Sequence, residues 1–498
     1  MYKQDFLYKK NASEYLGNSK ITFYVIALAS ILIAMIFGLF AVTANPIIIS
    51  LAVALVVGTF LLTKPIWMIW LLISSGLLVV GMLPLYLDSF ASKAAWGVSI
   101  LGFILLFLTL FRITAFPETV KATPTYVWFT LFFLIYAIIN SLIQWNTAFE
   151  FLGGMKRYFQ MYGLLFMLCW YDFDESDIYR WKVFLLIVAI LQLPTAVYEF
   201  LVFAPLLAST WGVAAVDLVA GTFGSLKDGG GNNAEMCLFL IIIIAFLLAR
   251  HKEGELSFKQ LVIFLPILIV PLFLGETKAV IVMLPLMFLV LYRHEIFTRF
   301  HYWLIGFISA ILLAVAIGYY YLSLSPKPVE QQITEIIEYN FQNKGYGGQH
   351  LNRTTVLTFW VEKQGAHDPV SFIFGNGLGS SHAATGGHVA KLYPKYGIGL
   401  TSVSMLLWEL GIVGISLFIA ILVFAWSCTQ RLLKESNIPL VRADTIAIQA
   451  SLALFGFHIF YRDSLLDLPS IQIVFAGLLG YLAWMHRRHF SSVREVMK

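Results

Sequence analysis

The chain has 498 residues, of which 59% are hydrophobic and only 12% are charged, and its formal net charge at pH 7 is +5. Soluble domains average about 25% charged residues, so this composition excludes an ordinary water-soluble enzyme. Repeated apolar runs are each long enough to cross a hydrocarbon core of about 30 Å. The sequence therefore predicts an all-α polytopic integral membrane protein.

Apolar runs separated by polar breaks predict about fourteen transmembrane helices. A polar and basic segment, 1–21, precedes the first run, which lacks a cleavage site and is therefore predicted to remain as a span. A bundle of about eleven helices then occupies 22–322, about three more occupy 401–485, and a basic tail follows at 486–498. The spans are predicted near 22–42, 46–63, 66–87, 96–112, 124–143, 153–170, 183–203, 233–249, 259–274, 279–292, 303–322, 401–425, 444–461 and 470–485.

The basic residues predict the orientation of these spans, because cytoplasmic loops carry an excess of Lys and Arg. With a cytoplasmic N-terminus, most of the 33 Lys and Arg residues face inward, and an even number of spans returns the basic tail to the same side. The large loop 323–400 is then predicted to lie on the outer face. Each basic residue on the outer side beyond this loop either anchors at the interface or faces a cavity. These residues are Lys93, Lys156, Arg157, Lys227, Lys278 and Arg462.

The three cysteines, Cys169, Cys237 and Cys428, fall inside or at the edge of apolar runs. Their positions match neither a disulfide framework nor the spacing of metal ligands. We therefore expect them to be small, adaptable core residues.

The large loop contains two predicted helices. The stretch "PVEQQITEIIEYNF" carries apolar residues at helical spacing from Val329 to Phe341, which indicates an amphipathic helix lying on the membrane or on other spans. Further on, Asn352 is placed to cap a short helix that buries Val356, Leu357 and Trp360 and ends at Gly365, with Arg353 in its first turn. A glycine-rich stretch, 374–399, then closes the loop directly before the next span.

Several of these pieces occur together in one known group of proteins. In order they are Arg353, Trp360, the turn "GNGLG" at 375–379 and "ELGIVG" at 409–414; earlier segments, "GTFGSLKDGGGNNAEM" and "GETKAV", lie on the same predicted face. This arrangement resembles the O-antigen ligase and Wzy-type polymerase superfamily, whose members are integral membrane glycosyltransferases with a GT-C-like fold. The resemblance covers roughly residues 220 to 425 and implies a bacterial inner-membrane protein whose large loop is periplasmic.

The resemblance also implies a reaction. Such enzymes take a glycan from a polyprenyl diphosphate in the outer leaflet and transfer it to an acceptor hydroxyl. The expected partners are therefore lipid-linked glycan donor and acceptor, membrane lipid and a polysaccharide chain-length regulator. We expect no nucleic acid, metal or other cofactor. The departing diphosphate develops negative charge, which preorganised cations stabilise, and arginine does so with two parallel hydrogen bonds.

These requirements select the candidate site residues. We expect catalytic roles for Arg353, Lys278 and His382, the histidine as the base that accepts the proton of the acceptor hydroxyl. Glu235 is a further carboxylate candidate for that base. The alternative for Glu409 is that it fixes a neighbouring helix, and the alternative for Arg462 is an ion pair with Asp463. The predicted substrate-binding residues are Lys227, Arg157, Arg462, His388, Glu409 and Glu276.

Two departures from the family pattern decide between its members. Lys278 stands where many members carry arginine, which keeps the charge but loses the two-pronged geometry. Leu400 and Thr401 stand where O-antigen ligases carry a histidine and an asparagine. The sequence therefore favours a Wzy-like polymerase over a ligase.

Functions other than a polymerase or a ligase fit the sequence less well. A lipid-linked oligosaccharide flippase remains the non-enzyme alternative, although such transporters usually have two similar halves and short loops. A peptidoglycan polymerase of the shape, division and sporulation class would have about ten spans and an aspartate-centred outer loop, which Asp368 alone does not satisfy.

Overall fold

The computed structural model describes most of the chain after residue 63. The described residues are 31, 64–83, 88–206, 218–225, 231–275, 277–298, isolated positions between 304 and 338, and 351–496. The spans predicted near 22–42 and 46–63, most of the span near 303–322 and most of the predicted loop helix at 329–341 lie outside them. The chain divides into two compact units, Met1–Leu71 and Leu72–Lys498.

Regular structure in the described part of the chain is helical, and the only extended pairing there is an isolated bridge between Ser225 and Gly231. The helices are α1 (Pro65–Ser74), α2 (Asp88–Ala115), α3 (Thr125–Ile143), α4 (Ala148–Phe159), α5 (Tyr162–Trp170), α6 (Glu175–Tyr198), α7 (Asn233–Lys252), α8 (Phe258–Leu274), α9 (Val280–Leu291), α10 (Arg293–Thr298), α11 (Thr355–Lys363), α12 (Pro369–Phe374), α13 (His388–Leu392), α14 (Ser402–Glu435), α15 (Pro439–Tyr461), α16 (Ser464–Asp467) and α17 (Pro469–Val496).

Among the described residues, six helices are long and apolar enough to cross a membrane: Ala95–Ala115 within α2, α3, Glu175–Leu206 (α6 with its π-helical extension), α7, α14 and α15. Each coincides with a predicted span. Three shorter apolar helices, α1 with its π-helical extension, α8 and α9, coincide with three more. The described part of the chain is therefore all-α, and its apolar helices suit a membrane. Its core packs α3 against α14, α5 against α2 and α17, and α7 against α15.

The span predicted near 153–170 is two helices, α4 and α5, with a break at Gln160. The Gln160 side chain donates a hydrogen bond to the Asp467 carbonyl at 2.9 Å. Gly102 allows α2 to press against this break, because a Cβ there would lie 1.7 Å from the Gln160 carbonyl oxygen. Backbone contact at small residues is common where membrane helices meet. The break leaves the end of α4 beside the turn between α15 and α17.

The short helix predicted in the large loop is α11. Asn352 Oδ1 accepts hydrogen bonds from the backbone N–H of Thr354 at 3.0 Å and Thr355 at 2.7 Å, which confirms the predicted cap. Val356 and Trp360 are buried, as predicted. Arg353 lies in the capped turn between Asn352 and Thr355, where the regular helix begins.

Helix α14 is interrupted at Gly411, whose φ of 64° and ψ of −164° are not helical. The break removes the intrahelical partners of the preceding carbonyl groups, which must bond elsewhere when buried. The Trp408 carbonyl accepts from the Asn376 backbone N–H at 3.1 Å, and the Glu409 carbonyl accepts from Gly377 at 2.9 Å. The glycine-rich stretch is therefore docked on the open end of a broken helix.

Helix α3 completes this junction. The Tyr136 hydroxyl lies 2.9 Å from the Leu410 carbonyl, and Asn140 donates to the Glu409 carbonyl at 3.3 Å. The Ser141 hydroxyl accepts from the Leu378 backbone N–H at 2.8 Å. Polar side chains on the otherwise apolar helix α3 thus provide hydrogen-bond partners for the N–H and C=O groups of the irregular backbone. Such partners are required at membrane depth.

Replacing Gly411 with alanine is expected to lower the free energy of unfolding by about 1–3 kcal/mol. The positive φ disfavours a side chain, and the new Cβ would lie 2.4 Å from the Ile373 carbonyl oxygen. Gly456→Ala in α15 is the matched control, because no heavy atom lies within 4 Å of its Cβ position. The control is expected to be neutral or stabilising. Equal thermal unfolding of both variants in detergent would contradict this role of Gly411.

Candidate functional site

The candidate site is centred on Arg157 in the last turn of α4. Its side chain is only 6% exposed, and its Nε donates to Asp467 Oδ1 at 2.8 Å. Among the described residues, its Nη1 has no hydrogen-bond partner. Because buried guanidinium groups normally use their donors, Arg157 has capacity for a further acceptor.

Asp467, the partner of Arg157, ends the short helix α16 between α15 and α17. Burial would raise the pKa of its carboxyl group, but the Arg157 guanidinium outweighs this effect and holds the pKa below its usual value. The pair is therefore ionised at neutral pH. The Asp467 side chain is 41% exposed, so the ion pair is open on one side.

His382 lies near this ion pair, at the start of the turn Ala383–Thr385. Its backbone N–H donates to the Gly379 carbonyl at 3.2 Å. Burial, together with the positive charge of Arg157, lowers the pKa of His382 to about 4. The imidazole is therefore neutral at physiological pH. A group with so low a pKa is a weak proton acceptor, which weighs against the predicted role as base.

Glu409, in the first part of α14, is fully buried and supports the glycine-rich stretch. Its Oε2 accepts from the Gly379 backbone N–H at 2.9 Å, and its Oε1 accepts from the Ser381 backbone N–H at 3.3 Å and hydroxyl at 2.6 Å. Both oxygens are thus engaged within the protein. Glu409 therefore fixes the glycine-rich stretch against α14. This structural role is similar to the predicted alternative, in which Glu409 fixes a neighbouring helix.

The glycines of "GNGLG" allow close backbone packing. Gly375, Gly377 and Gly379 have φ values of 83°, 87° and 82°. A Cβ on Gly375 would lie 2.4 Å from the Glu409 backbone, and one on Gly379 would lie 2.3 Å from the Glu150 carbonyl oxygen. The turn is consequently a buried support that holds the adjoining residues in place.

His388 lies at the edge of this support, in the first turn of α13. Its Nδ1 is 2.7 Å from Glu150 Oε1, and Asn146 donates to the other Glu150 oxygen at 2.7 Å. The His388 side chain is 36% exposed, whereas Glu150 is buried. His388 therefore joins α13 to α4, and part of its side chain remains exposed.

Two predicted cations meet at the end of α15. Arg353 Nε donates to the Tyr461 carbonyl at 2.8 Å, and its guanidinium lies 4.2 Å from the centroid of the Tyr461 ring. Arg462 Nη1 donates to Glu235 Oε2 and to the Gly231 carbonyl, both at 3.1 Å. The structure thus pairs Arg462 with Glu235 of α7, a partner that sequence reasoning did not assign to it.

A buried histidine was missed by sequence reasoning. His458 in α15 is fully buried, its Nε2 lies 2.7 Å from the Ser464 hydroxyl, and the same atom lies 3.8 Å from Glu235 Oε1. Among the described residues, His458 Nδ1 and Glu235 Oε1 have no hydrogen-bond partner. An ionisable residue within an apolar run is itself a signal of function, and it was available in the sequence.

The remaining predicted residues lie apart or outside the described residues. Lys278 is exposed in the turn between α8 and α9. Lys156 is half-buried, and its Nζ lies 4.9 Å from the centroid of the Trp96 ring. Lys227 and Glu276 lie outside the described residues, as does the side chain of Lys93. The structure thus brings together Arg157 and His382, and separately Arg353 and Arg462.

The turn at Asp463 connects these two pairs, because both Arg157 and Arg462 act electrostatically on its carboxyl group. We call the residues around this turn the arginine cluster; its members are Arg157, Arg353, Arg462, Asp463, Asp467, Glu235 and His382. Among the described residues, no group of three or more His, Cys, Asp or Glu side chains is arranged to hold a metal ion.

No known protein-family model matches the chain, and a search of curated proteins finds no significant match. The functional argument therefore depends on the chemistry of the arginine cluster and on the motif resemblance described above.

Proposed function

We propose that this protein is a Wzy-like membrane glycosyltransferase that polymerises polyprenyl-diphosphate-linked oligosaccharide repeat units on the periplasmic face of the bacterial inner membrane. The observation that supports this most strongly is the gathering of Arg157, Arg353 and Arg462 around one turn beside the glycine-rich stretch. The three arginines come from segments far apart in the sequence, so their proximity requires the tertiary fold.

The arginine cluster suits a diphosphate leaving group. As the bond between sugar and diphosphate breaks, negative charge grows on the phosphate oxygens, and cations already in position stabilise it. Arg157 offers an unused Nη1 donor beside the half-open carboxylate of Asp467. Arg353 is held through its Nε, in an orientation set by Tyr461. Cations oriented in this way need little rearrangement during the reaction.

The surrounding structure supports the required rigidity. Glu409 and the three glycines of "GNGLG" hold the segment that carries His382 against α14 and α4. A site works best when the residues behind it fix its geometry. A chain-length regulator is the partner that this proposal implies.

The test uses purified protein in liposomes with a polyprenyl-diphosphate oligosaccharide as substrate and measures product size. A ladder of products extended by whole repeats is expected. Transfer to lipid A core without elongation would contradict the polymerase and indicate a ligase. Movement of the lipid across the bilayer without any new glycosidic bond would contradict a glycosyltransferase and indicate a flippase.

Arg353→Ala is expected to reduce polymerisation at least about 100-fold, because it removes a cation that stabilises the leaving group. Lys363→Ala is the matched control, since Lys363 is an exposed cation of the same loop that pairs with neighbouring Glu362. It is expected to polymerise at the wild-type rate. Unchanged activity of Arg353→Ala, at equal expression and thermal unfolding, would remove Arg353 from the site.

A further inference from the structure

We infer that Asp463 is the group that removes the proton from the acceptor sugar hydroxyl during glycan transfer. The inference rests on the proposed function and assigns its base, a role that sequence reasoning gave to His382. It follows from the position of Asp463 between the two halves of the arginine cluster, where the neighbouring arginines are paired with other carboxylates.

The position of Asp463 leaves its carboxylate uncommitted. Asp463 precedes the short helix α16, and its carbonyl accepts from the Leu466 backbone N–H at 2.9 Å. Its side chain is half-buried and accepts no hydrogen bond from any described residue. The carboxylates of Glu409, Glu235 and Asp467 differ, because each is engaged by a backbone N–H or a guanidinium group.

The arginines near Asp463 are each engaged elsewhere. The groups that face it are Asp467 on the same turn, Arg157 from α4, the adjacent Arg462 and Glu235 from α7. Arg157 pairs with Asp467, Arg462 pairs with Glu235, and Arg353 donates to the Tyr461 carbonyl. Asp463 is thus the carboxylate of the cluster that forms no ion pair with a described residue, and its partial burial beside Asp467 favours the neutral form. The surroundings thus favour proton uptake by this carboxylate.

The pKa values of the two neighbouring aspartates agree with this arrangement. Burial, with repulsion from Asp467, raises the pKa of Asp463 to about 6. Asp467, in contrast, has a pKa held below its usual value by Arg157. Two neighbouring carboxyl groups whose pKa values differ in this manner take different roles, and the one with a pKa closer to neutrality is the better base. Asp463 is therefore better matched to the task than His382, whose pKa is about 4.

With Asp463 as the base, the transfer step conserves atoms and charge. The acceptor hydroxyl oxygen forms a bond to the anomeric carbon of the donor glycan as the bond from that carbon to the diphosphate oxygen breaks. The hydroxyl proton passes to the Asp463 carboxylate, and the polyprenyl diphosphate departs with the bond electrons toward the arginines. Asp463 afterwards loses the proton to water, which restores the starting state.

The experiment measures the single-turnover rate of glycan transfer in liposomes from pH 5 to 8, with binding of the lipid diphosphate measured separately. The wild-type rate is expected to rise with pH and level off above an apparent pKa near 6, because the base must be deprotonated. Asp463→Asn is expected to transfer about 100- to 10,000-fold more slowly, to lose this rise and to retain lipid binding. Asp463→Glu is expected to regain part of the rate and the rise.

Asp368→Asn is the matched control. Asp368 is exposed in the large loop, away from the turn that carries Asp463, and caps α12 by accepting from the Ser371 backbone N–H at 3.1 Å, a role that asparagine also fills. It is expected to keep the wild-type rate.

A wild-type rate that does not vary between pH 5 and 7.5 would overturn the inference, whatever the variants do. Wild-type transfer by Asp463→Asn would do the same. Absence of polymer from the wild-type protein is a distinct result, because it would overturn the proposed function together with this inference.

Discussion

Asp444→Ala is expected to lower the free energy of unfolding by about 3–5 kcal/mol, because it leaves two partly buried cations without their shared counter-charge. Asp444 in α15 is fully buried. Arg250 from α7 binds both of its oxygens, at 2.8 and 3.0 Å. Lys182 from α6 lies 3.1 Å from Oδ2, and the Tyr481 hydroxyl of α17 donates to the same atom at 2.6 Å. One carboxylate thus joins four helices.

The matched control for Asp444 is Glu435→Ala. Glu435 pairs with Arg431 one turn earlier on α14, and both side chains are largely exposed. Exposed pairs of this spacing contribute only about 0.3–0.5 kcal/mol. Thermal unfolding of the two variants in the same detergent makes the comparison. Asp444→Ala unfolding at the temperature of Glu435→Ala would show that the four-helix junction does not hold the bundle together.

Arg157→Ala is expected to reduce glycan transfer by about 100- to 1,000-fold, because it removes the most buried cation of the arginine cluster. Arg157→Lys is expected to fall between this variant and the wild-type protein, since it keeps the charge but loses the planar donor geometry. The measurement is the rate of polymerisation at saturating lipid-linked substrate, with thermal unfolding followed in parallel. Asp467 is 41% exposed and can be hydrated after the substitution, so the fold should survive.

Arg180→Ala is the control for Arg157→Ala. Arg180 is an exposed arginine on α6 that lies 3.9 Å from Asp177. It is expected to transfer at the wild-type rate. Wild-type polymerisation by Arg157→Ala would show that the arginine cluster is a structural ion-pair network, which is the other common reason for a buried guanidinium.

The spans were the most predictable part of this protein. A membrane helix needs a local run of apolar residues of sufficient length, and such a run is visible without knowledge of its neighbours. The described helices α3, α7, α14 and α15 accordingly lie where runs of this kind predict them. The cap at Asn352 was predictable for the same reason, because its partners are Thr354 and Thr355.

The broken helices were less predictable. The interruption of α14 at Gly411 lies in an apolar run that reads as one continuous span, and the break is stabilised by the docked backbone of Asn376 and Gly377 and by polar side chains of α3. The division between α4 and α5 likewise depends on Gly102 of another helix. Local apolarity is the same for a continuous and for a broken helix, so such breaks follow from tertiary contacts.

The composition of the candidate site was partly predictable. Arg157 and Arg462 were selected because they are basic residues on the predicted outer side, and Arg353 was selected because of the family resemblance of the large loop. Asp467 was not selected, since its partner Arg157 is 310 positions away and no local pattern relates the two. The pairing of Arg462 with Glu235, 227 positions away, is hidden for the same reason. Sequence reasoning selected these cations and named Glu235 as a carboxylate candidate, but it did not find the ion pairs that hold the arginines in place.

The measurement that most directly tests the central claim compares wild-type protein and Arg157→Ala, each purified into liposomes with one polyprenyl-diphosphate oligosaccharide. The products are separated by size. We predict a ladder of glycans extended by whole repeats from the wild-type protein and unextended substrate from Arg157→Ala. The same ladder from both proteins, or no extended glycan from the wild-type protein, would contradict the assignment of the arginine cluster as the site of glycan polymerisation.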